Sequence, residues 1–164
     1  GPTILRGYEE ARGDWVFQTD SDGELTPERF ERLWQARADH DLVVGRRVGR
    51  RASRPRRAVS ETARLLVRLL FGSPIHDVNC PYRLVRRSSL RALLEEMPES
   101  PFAPNVLISG LAVHRGLRVQ EIPVPHRDRR GGQVSLDSWR LLRGSLQTAW
   151  QAITTRLGLL RRSR

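Results

Sequence analysis

What most constrains this chain is the recurrence of short apolar β-type runs between stretches with helical spacing. Asp14-Trp15-Val16-Phe17-Gln18-Thr19 is rich in β-favouring residues and reads as a buried strand, and Asp41-Leu42-Val43-Val44-Gly45 as a second. Leu117 to Val124 alternates apolar and polar residues, the pattern of a half-buried strand. Between these runs, helical spacing predicts helices over 3–12, stopped by Gly13, and over 58–71, stopped by Gly72-Ser73-Pro74. Two more are expected over 88–97 and 105–114. Thr26-Pro27 opens another, with threonine placed to cap it and proline at the first helical position. Phe30, Leu33 and Trp34 form its apolar stripe, down to about Ala38. Asp77 to Arg86 reads as a loop running into a strand. Strands alternating with helices predict an α/β sheet packed by helices, whose ligands sit at the carboxyl ends of the strands.

At 164 residues the chain can build one domain with its own core, and its 38% hydrophobic content argues against wholesale disorder. Cys80 is the single cysteine, which excludes an internal disulfide framework and fits a reducing compartment. No run of about 18 apolar residues is present, so no segment spans a membrane by itself. The formal net charge is +11, and all 29 residues of the Lys+Arg count are arginine. A GC-rich genome accounts for arginine in place of lysine but not for the excess. The excess implies an anionic partner: a phosphate ligand, anionic lipid or nucleic acid. Residues 46–57 concentrate Arg46, Arg47, Arg50, Arg51, Arg54, Arg56 and Arg57 among Gly49, Ser53 and Pro55, and read as a basic loop.

The first strand stops at Asp20-Ser21-Asp22-Gly23. Two carboxylates one residue apart on a turn can approach one divalent cation together. Hard oxygen ligands suit Mg²⁺ or Mn²⁺, which keep positions open for phosphates. The same string also makes an ordinary Asx turn before a helix. It is not an EF-hand loop, since the ligand spacing beyond Gly23 is absent. His76, His114 and His126 show no metal-ligand spacing, and no histidine pattern surrounds Cys80 to mark a nucleophile.

Several strings in a fixed order carry a resemblance. Ala11-Arg12-Gly13-Asp14-Trp15-Val16-Phe17-Gln18-Thr19-Asp20-Ser21-Asp22-Gly23-Glu24 closely resembles the centre of family 2 glycosyltransferases of the GT-A fold, nearest to the dolichol- and polyprenol-phosphate sugar transferases. Asp41-Leu42-Val43-Val44-Gly45-Arg46-Arg47 looks like the family's strand ending in Gly-x-Arg. Asp77-Val78-Asn79-Cys80-Pro81-Tyr82-Arg83-Leu84 resembles its aspartate-containing loop before an arginine. Phe102-Ala103-Pro104-Asn105 and Gly116 to Val124 are similar to the next helix and strand, and Arg127 with Arg130-Gly131-Gly132 to the closing basic loop. The likeness covers essentially the whole chain.

The resemblance implies a Rossmann-like mixed sheet flanked by helices. It implies metal-dependent, inverting transfer of a sugar from a nucleotide-sugar to a polyprenol phosphate or related lipid acceptor, with Mg²⁺ or Mn²⁺ held by Asp20 and Asp22. Asp77 is the implied catalytic residue, either as a base or by orienting Arg83 through an ion pair. A polyprenol phosphate is already an anionic nucleophile and needs little deprotonation. Arg47, Arg57, Ser60 and Arg83 are expected around the acceptor phosphate, two or three of the arginines in 46–57 touching ligand. Arg127 and Arg130 are expected over the diphosphate or toward the lipid surface.

Nothing here matches the β-strand and loop that begin such domains and hold the nucleotide base. The chain therefore reads as the C-terminal part of a GT-A domain over 1–134, lacking the N-terminal nucleotide-binding βαβ unit, followed over 135–164 by an amphipathic helix with a basic tail. That helix, from Ser135 to about Leu160, carries a stripe of Leu136, Trp139, Leu142, Leu146, Trp150 and Ile153. The stripe serves either as core or as a membrane-interface face meeting an anionic surface. The expected location is cytoplasmic, peripheral to the inner face of the plasma membrane. A separate chain could supply the missing half. Alone, the polypeptide is expected to self-associate through an exposed sheet edge and to be inactive. A noncatalytic remnant or a basic nucleic-acid-binding module is the competing reading. The latter lacks an aromatic stacking surface or groove-reading motif, so no nucleic acid partner is expected.

Overall fold

The apolar runs become strands because burial on the sheet leaves their backbone groups no partner but one another. In the computed structural model, which describes residues 2–49, 53–126 and 138–162, the strands are β1 (Trp15–Gln18), β2 (Leu42–Val48), β3 (Arg83–Arg86) and β4 (Val119–Pro125). They form one mixed sheet in the order β1-β3-β2-β4. β3 runs antiparallel to both β1 and β2, whereas β2 and β4 are parallel. The carboxyl ends of β1, β2 and β4 therefore share one edge with the amino end of β3. Gln18 and Val44 both pair with Arg83 there.

The helices are α1 (Pro2–Glu10), α2 (Phe30–Ala36), α3 (Arg54–Phe71), α4 (Arg87–Leu94), α5 (Pro104–His114) and α6 (Ser138–Arg162). A 3-10 turn, Pro27–Arg29, leads into α2. Residues 104–112 of α5 are all buried, which suits a helix apolar on every side. α3 packs on both α5 and α6. Phe17 meets Phe30 and Tyr82 edge to face, both at 4.9 Å between ring centroids.

Three local expectations are corrected. β2 continues past Gly45 to Val48, because Arg46, Arg47 and Val48 pair with Pro123, Val124 and Pro125 of β4. α3 begins at Arg54 rather than at residue 58, since Pro55 falls in the first helical turn, where its missing N–H costs nothing. Thr26 precedes the helical turn without donating or accepting a side-chain cap bond.

Ser135 and Leu136 of the expected helix lie outside the described residues, and the rest of the stripe, on α6, is not core. Trp139 is 72% exposed, Leu146 64% and Trp150 68%, with Leu142, Ile153, Leu157 and Leu160 also exposed, whereas Thr148 and Ala152 face inward. No described helix is long and apolar enough to cross a membrane.

Candidate active site

The acidic turn leaves β1 directly. Gly23 takes a left-handed backbone (φ 72°), and the Glu24 N–H donates to Asp22 Oδ1 at 3.1 Å. The turn is thus an Asx turn, and it presents Asp20, Asp22 and Glu24 together. Glu24 Oε2 lies 3.1 Å from His126 Nε2, and Leu25 bridges to His126, which fastens the turn to the end of β4. Burial, and then the charge of Asp22, raise the Asp20 carboxyl above its ordinary value. Arg47 works against this, and Glu24 adds to it.

That repulsion is what a divalent cation would relieve. Among the described residues no group of three or more His, Cys, Asp or Glu side chains is placed to hold a metal. Asp20 and Asp22 would then be the protein's ligands, with the remaining positions left to phosphate and water, as Mg²⁺-type ions accept. The donor set fits such an ion.

β2 brings Arg47 to the same edge. Gly45 makes this possible, since a Cβ there would lie 2.9 Å from the Val124 side chain and 3.0 Å from the Tyr82 carbonyl oxygen. The close approach lets the Gly45 N–H donate to Tyr82 O at 2.7 Å, which docks β2 against the loop before β3. Two residues on, Arg47 grips Asp77 through Nε–H to Oδ2 (2.8 Å) and Nη2–H to Oδ1 (2.7 Å), and its backbone N–H adds a third bond at 3.2 Å. Burial opposes the Arg47 charge, but Asp77 outweighs it and holds the guanidinium above its ordinary value.

Asp77 is thus paired with Arg47; of the two roles expected of it, the one through an ion pair with Arg83 is corrected, since no such pair forms among the described residues. Arg83 is fully buried, and its guanidinium donates to three backbone carbonyls: Cys80 (2.7 and 3.1 Å), Val78 (3.2 Å) and Asn105 (3.2 Å). Burial pushes its pKa below the ordinary range. Ser109 Oγ–H completes this framework on Val78 O and Asn105 O. The Cys80 thiol lies inside it, pushed up to about 11 by burial and by Asp77, which makes it a poor nucleophile.

Arg47, Arg57, Ser60 and Asp77 line one open pocket of about 300 Å³ together with Arg46, Glu61 and His76. Four of the sequence-predicted residues therefore converge, and Arg47 also lies close enough to Asp20 to act on its charge. Arg83 stands outside the pocket wall. Arg127 and Arg130, with Gly131 and Gly132, lie outside the described residues. Arg46, His76 and Glu61 are not among the predicted binding residues: Arg46 is legible only within the arginine run and the Gly-x-Arg string, and His76 only as lacking metal-ligand spacing. A larger hollow of about 640 Å³ lies at the opposite edge of the sheet, around Trp15 and Arg86. Two of its four arginines are stacked, Arg37 on Trp34 and Arg86 on Trp15, and it gathers none of the predicted groups.

Comparison with known proteins places the sequence and the fold. The sequence pattern of glycosyl transferase family 2 matches residues 2–94. The chain is 36% identical over 158 residues to an undecaprenyl-phosphate 4-deoxy-4-formamido-L-arabinose transferase of Pseudomonas paraeruginosa, covering 96% of the chain and 45% of that protein. It is 30% identical over 169 residues to the undecaprenyl-phosphate mannosyltransferase of Micrococcus luteus, covering 95% of the chain and 68% of that protein. The chain therefore spans about half the length of the first of these relatives. Glucosyl-3-phosphoglycerate synthase from Mycobacterium tuberculosis has the same GT-A fold, with a TM-score of 0.62 at 21% identity over 94% of this chain and 53% of that one. The same enzyme bound to Mn²⁺, UDP-glucose and glycerol 3-phosphate gives a TM-score of 0.59 at 20% identity. The sequence match takes in more than half of the chain and the fold agrees with it: this chain belongs to glycosyl transferase family 2.

Proposed function

We propose that the chain forms the metal-binding and acceptor-binding side of a transferase that moves a sugar from a nucleotide-sugar to a polyprenol phosphate. The observation that carries this reading is the pocket where Arg46, Arg47, Arg57 and Ser60 meet, with Arg47 close enough to Asp20 of the acidic turn to act on its charge. Two sites of opposite sign adjoin there: carboxylates suited to a metal–diphosphate, and guanidiniums suited to a phosphate monoester. The relatives' names specify undecaprenyl-phosphate as their acceptor.

A phosphate monoester is largely dianionic at neutral pH, with its second pKa near 6. Its oxygen can attack the anomeric carbon directly; the new C–O bond forms as the bond to the diphosphate breaks, inverting the centre. No proton needs removal, so Asp77 serves by fixing Arg47 rather than as a base. Arg47, Arg57 and Ser60 orient the attacking phosphate. Mg²⁺ or Mn²⁺ on Asp20 and Asp22, when bound, would neutralise charge on the departing diphosphate.

The exposed stripe of α6 supports a lipid acceptor. The helix contains no acidic residue, Arg143 and Arg161 lie exposed beside the stripe, and tryptophans sit within it. We assign this face to an anionic membrane surface, placing the protein at the cytoplasmic side of the plasma membrane without a described spanning helix. An apolar crevice of about 200 Å³ between α3, α5 and α6 is lined by Val59, Ala63, Leu66, Val106 and Ala149. An apolar cavity of about 150 Å³ already takes up a benzene-sized hydrocarbon. The crevice can thus accept a short length of lipid chain.

Mn²⁺ binding followed by electron paramagnetic resonance, with pyrophosphate present, tests the metal half. The wild-type chain should bind, and Asp20→Asn with Asp22→Asn should not. Equal binding by both would sink the assignment.

A further inference from the structure

Glu121 occupies a position that a strand seldom gives to a carboxylate. It lies in β4, paired in register with Val44, and only 15% of its side chain is exposed. Withdrawing a carboxylate from water is costly unless hydrogen bonds replace the hydration. In a chain with so many arginines an ion pair would be the easy replacement. Instead, Glu121 Oε1 accepts the backbone N–H groups of His76 and Asp77, both at 2.9 Å, and Oε2 lies 2.8 Å from His76 Nδ1. All three contacts go to two consecutive residues of the loop that enters β3.

That loop has no ladder to hold it between the end of α3 and Arg83. Besides the bonds from Gly45, Arg47 and Ser109 described above, two further anchors secure it. Arg83 gathers the carbonyls of Val78 and Cys80 at its far end, and Glu121 gathers the N–H groups of residues 76 and 77 at its near end. The Glu121 bonds fall on the residue whose carboxylate meets Arg47 and on the neighbour whose ring helps line the phosphate pocket. A shift of about 1 Å at Asp77 would break two parallel bonds whose geometry is directional.

We infer that Glu121 is a positioning residue for the acceptor pocket, setting Asp77, and through it Arg47, by anchoring the loop backbone. The inference rests on the acceptor-phosphate reading above for its functional consequence, but the anchoring itself is a separate property. Because one oxygen takes both backbone bonds, a glutamine can keep them through its amide oxygen, whereas alanine cannot.

The test pairs two measurements on the 164-residue chain. The first is amide hydrogen exchange at His76 and Asp77. The second is titration with inorganic phosphate by calorimetry. Glu121→Ala should speed exchange at these two amides while leaving the β2 and α5 amides protected, and should weaken phosphate binding about tenfold, ~1.4 kcal/mol. Glu121→Gln should restore binding to within about twofold of wild type, since the hydrogen bonds rather than the charge do the anchoring. Asp77→Ala should weaken binding comparably, and the double variant no further, as expected of residues acting in series. Unchanged exchange at residues 76 and 77 in Glu121→Ala overturns the anchoring. Multiplied effects in the double variant, or a glutamine variant as weak as alanine, overturn the route through Asp77. Faster exchange in a protein whose wild type binds no phosphate overturns the acceptor reading and leaves the anchoring standing.

Discussion

Arg47 and Asp77 face each other through two parallel N–H···O bonds of 2.8 and 2.7 Å, with their side chains only 10% and 17% exposed. Fork-on-fork geometry of this kind fixes direction as well as distance, which an ammonium cannot reproduce. Arg47→Lys should therefore behave more like Arg47→Ala than like wild type in phosphate binding. Removing either partner leaves a charge with little solvent, at a cost of roughly 3 kcal/mol, and the double variant should cost much less than the sum. Urea unfolding of the four proteins of the cycle checks this. Additive losses would show that the pair is not coupled.

Asp41 supplies the pH dependence. Burial opposes its charge, but hydrogen bonds from Arg118 and Arg86 outweigh it and hold the carboxyl below its ordinary value. The unfolded chain then binds the proton more readily than the folded one. The stabilisation is present above the ordinary carboxylate range and disappears as pH falls through the lowered value. Asp41→Asn should be less stable than wild type at neutral pH, and the two urea midpoints should converge on acidification. A constant gap across that range would contradict the assignment.

The buried Arg83 makes Cys80 a reporter for the loop that enters β3. With the thiol fully buried and raised to about 11, a thiol reagent at pH 8 should label wild type only as fast as the structure opens. Arg83→Met leaves the Cys80, Val78 and Asn105 carbonyls without these donors, costing about 3 kcal/mol, and labelling should accelerate by at least tenfold. Unaltered labelling kinetics would mean that Arg83 does not hold the loop.

The α6 face predicts a lipid preference. Vesicles with an anionic lipid fraction should shift tryptophan emission to the blue, neutral vesicles much less, and added salt should reverse the difference. Leu146→Glu and Trp150→Glu should each weaken partitioning about tenfold or more without changing the urea midpoint, because both side chains are largely exposed in the fold. Binding that ignores both substitutions would exclude this face.

The sheet was legible because its signals are local. Val43 and Val44 declare a strand within a few residues, and the ordered strings around Asp20, Gly45 and Asp77 name the family. Partners across long separations were not legible: Asp77 reaches back 30 residues to Arg47, and His76 forward 45 to Glu121. Glu121 read as the polar half of an alternating strand, which states its face but not what it touches. Pro55 reads as part of the basic loop although it opens α3, since a proline looks the same whether it ends a loop or opens a helix. Periodicity placed the apolar stripe on α6 but could not say what covers it.

The reversal of β3 has a further consequence. Because this one strand runs against its neighbours, the acidic turn is a strand's exit while the Asp77 loop is a strand's approach. The turn and the loop hang from different backbone segments, and Arg47, bonded to Asp77 and close enough to Asp20 to act on its charge, faces both. A change in the stretch between Gly72 and Arg83 can therefore move Asp77 and its hold on Arg47 without moving the backbone that carries Asp20 and Asp22.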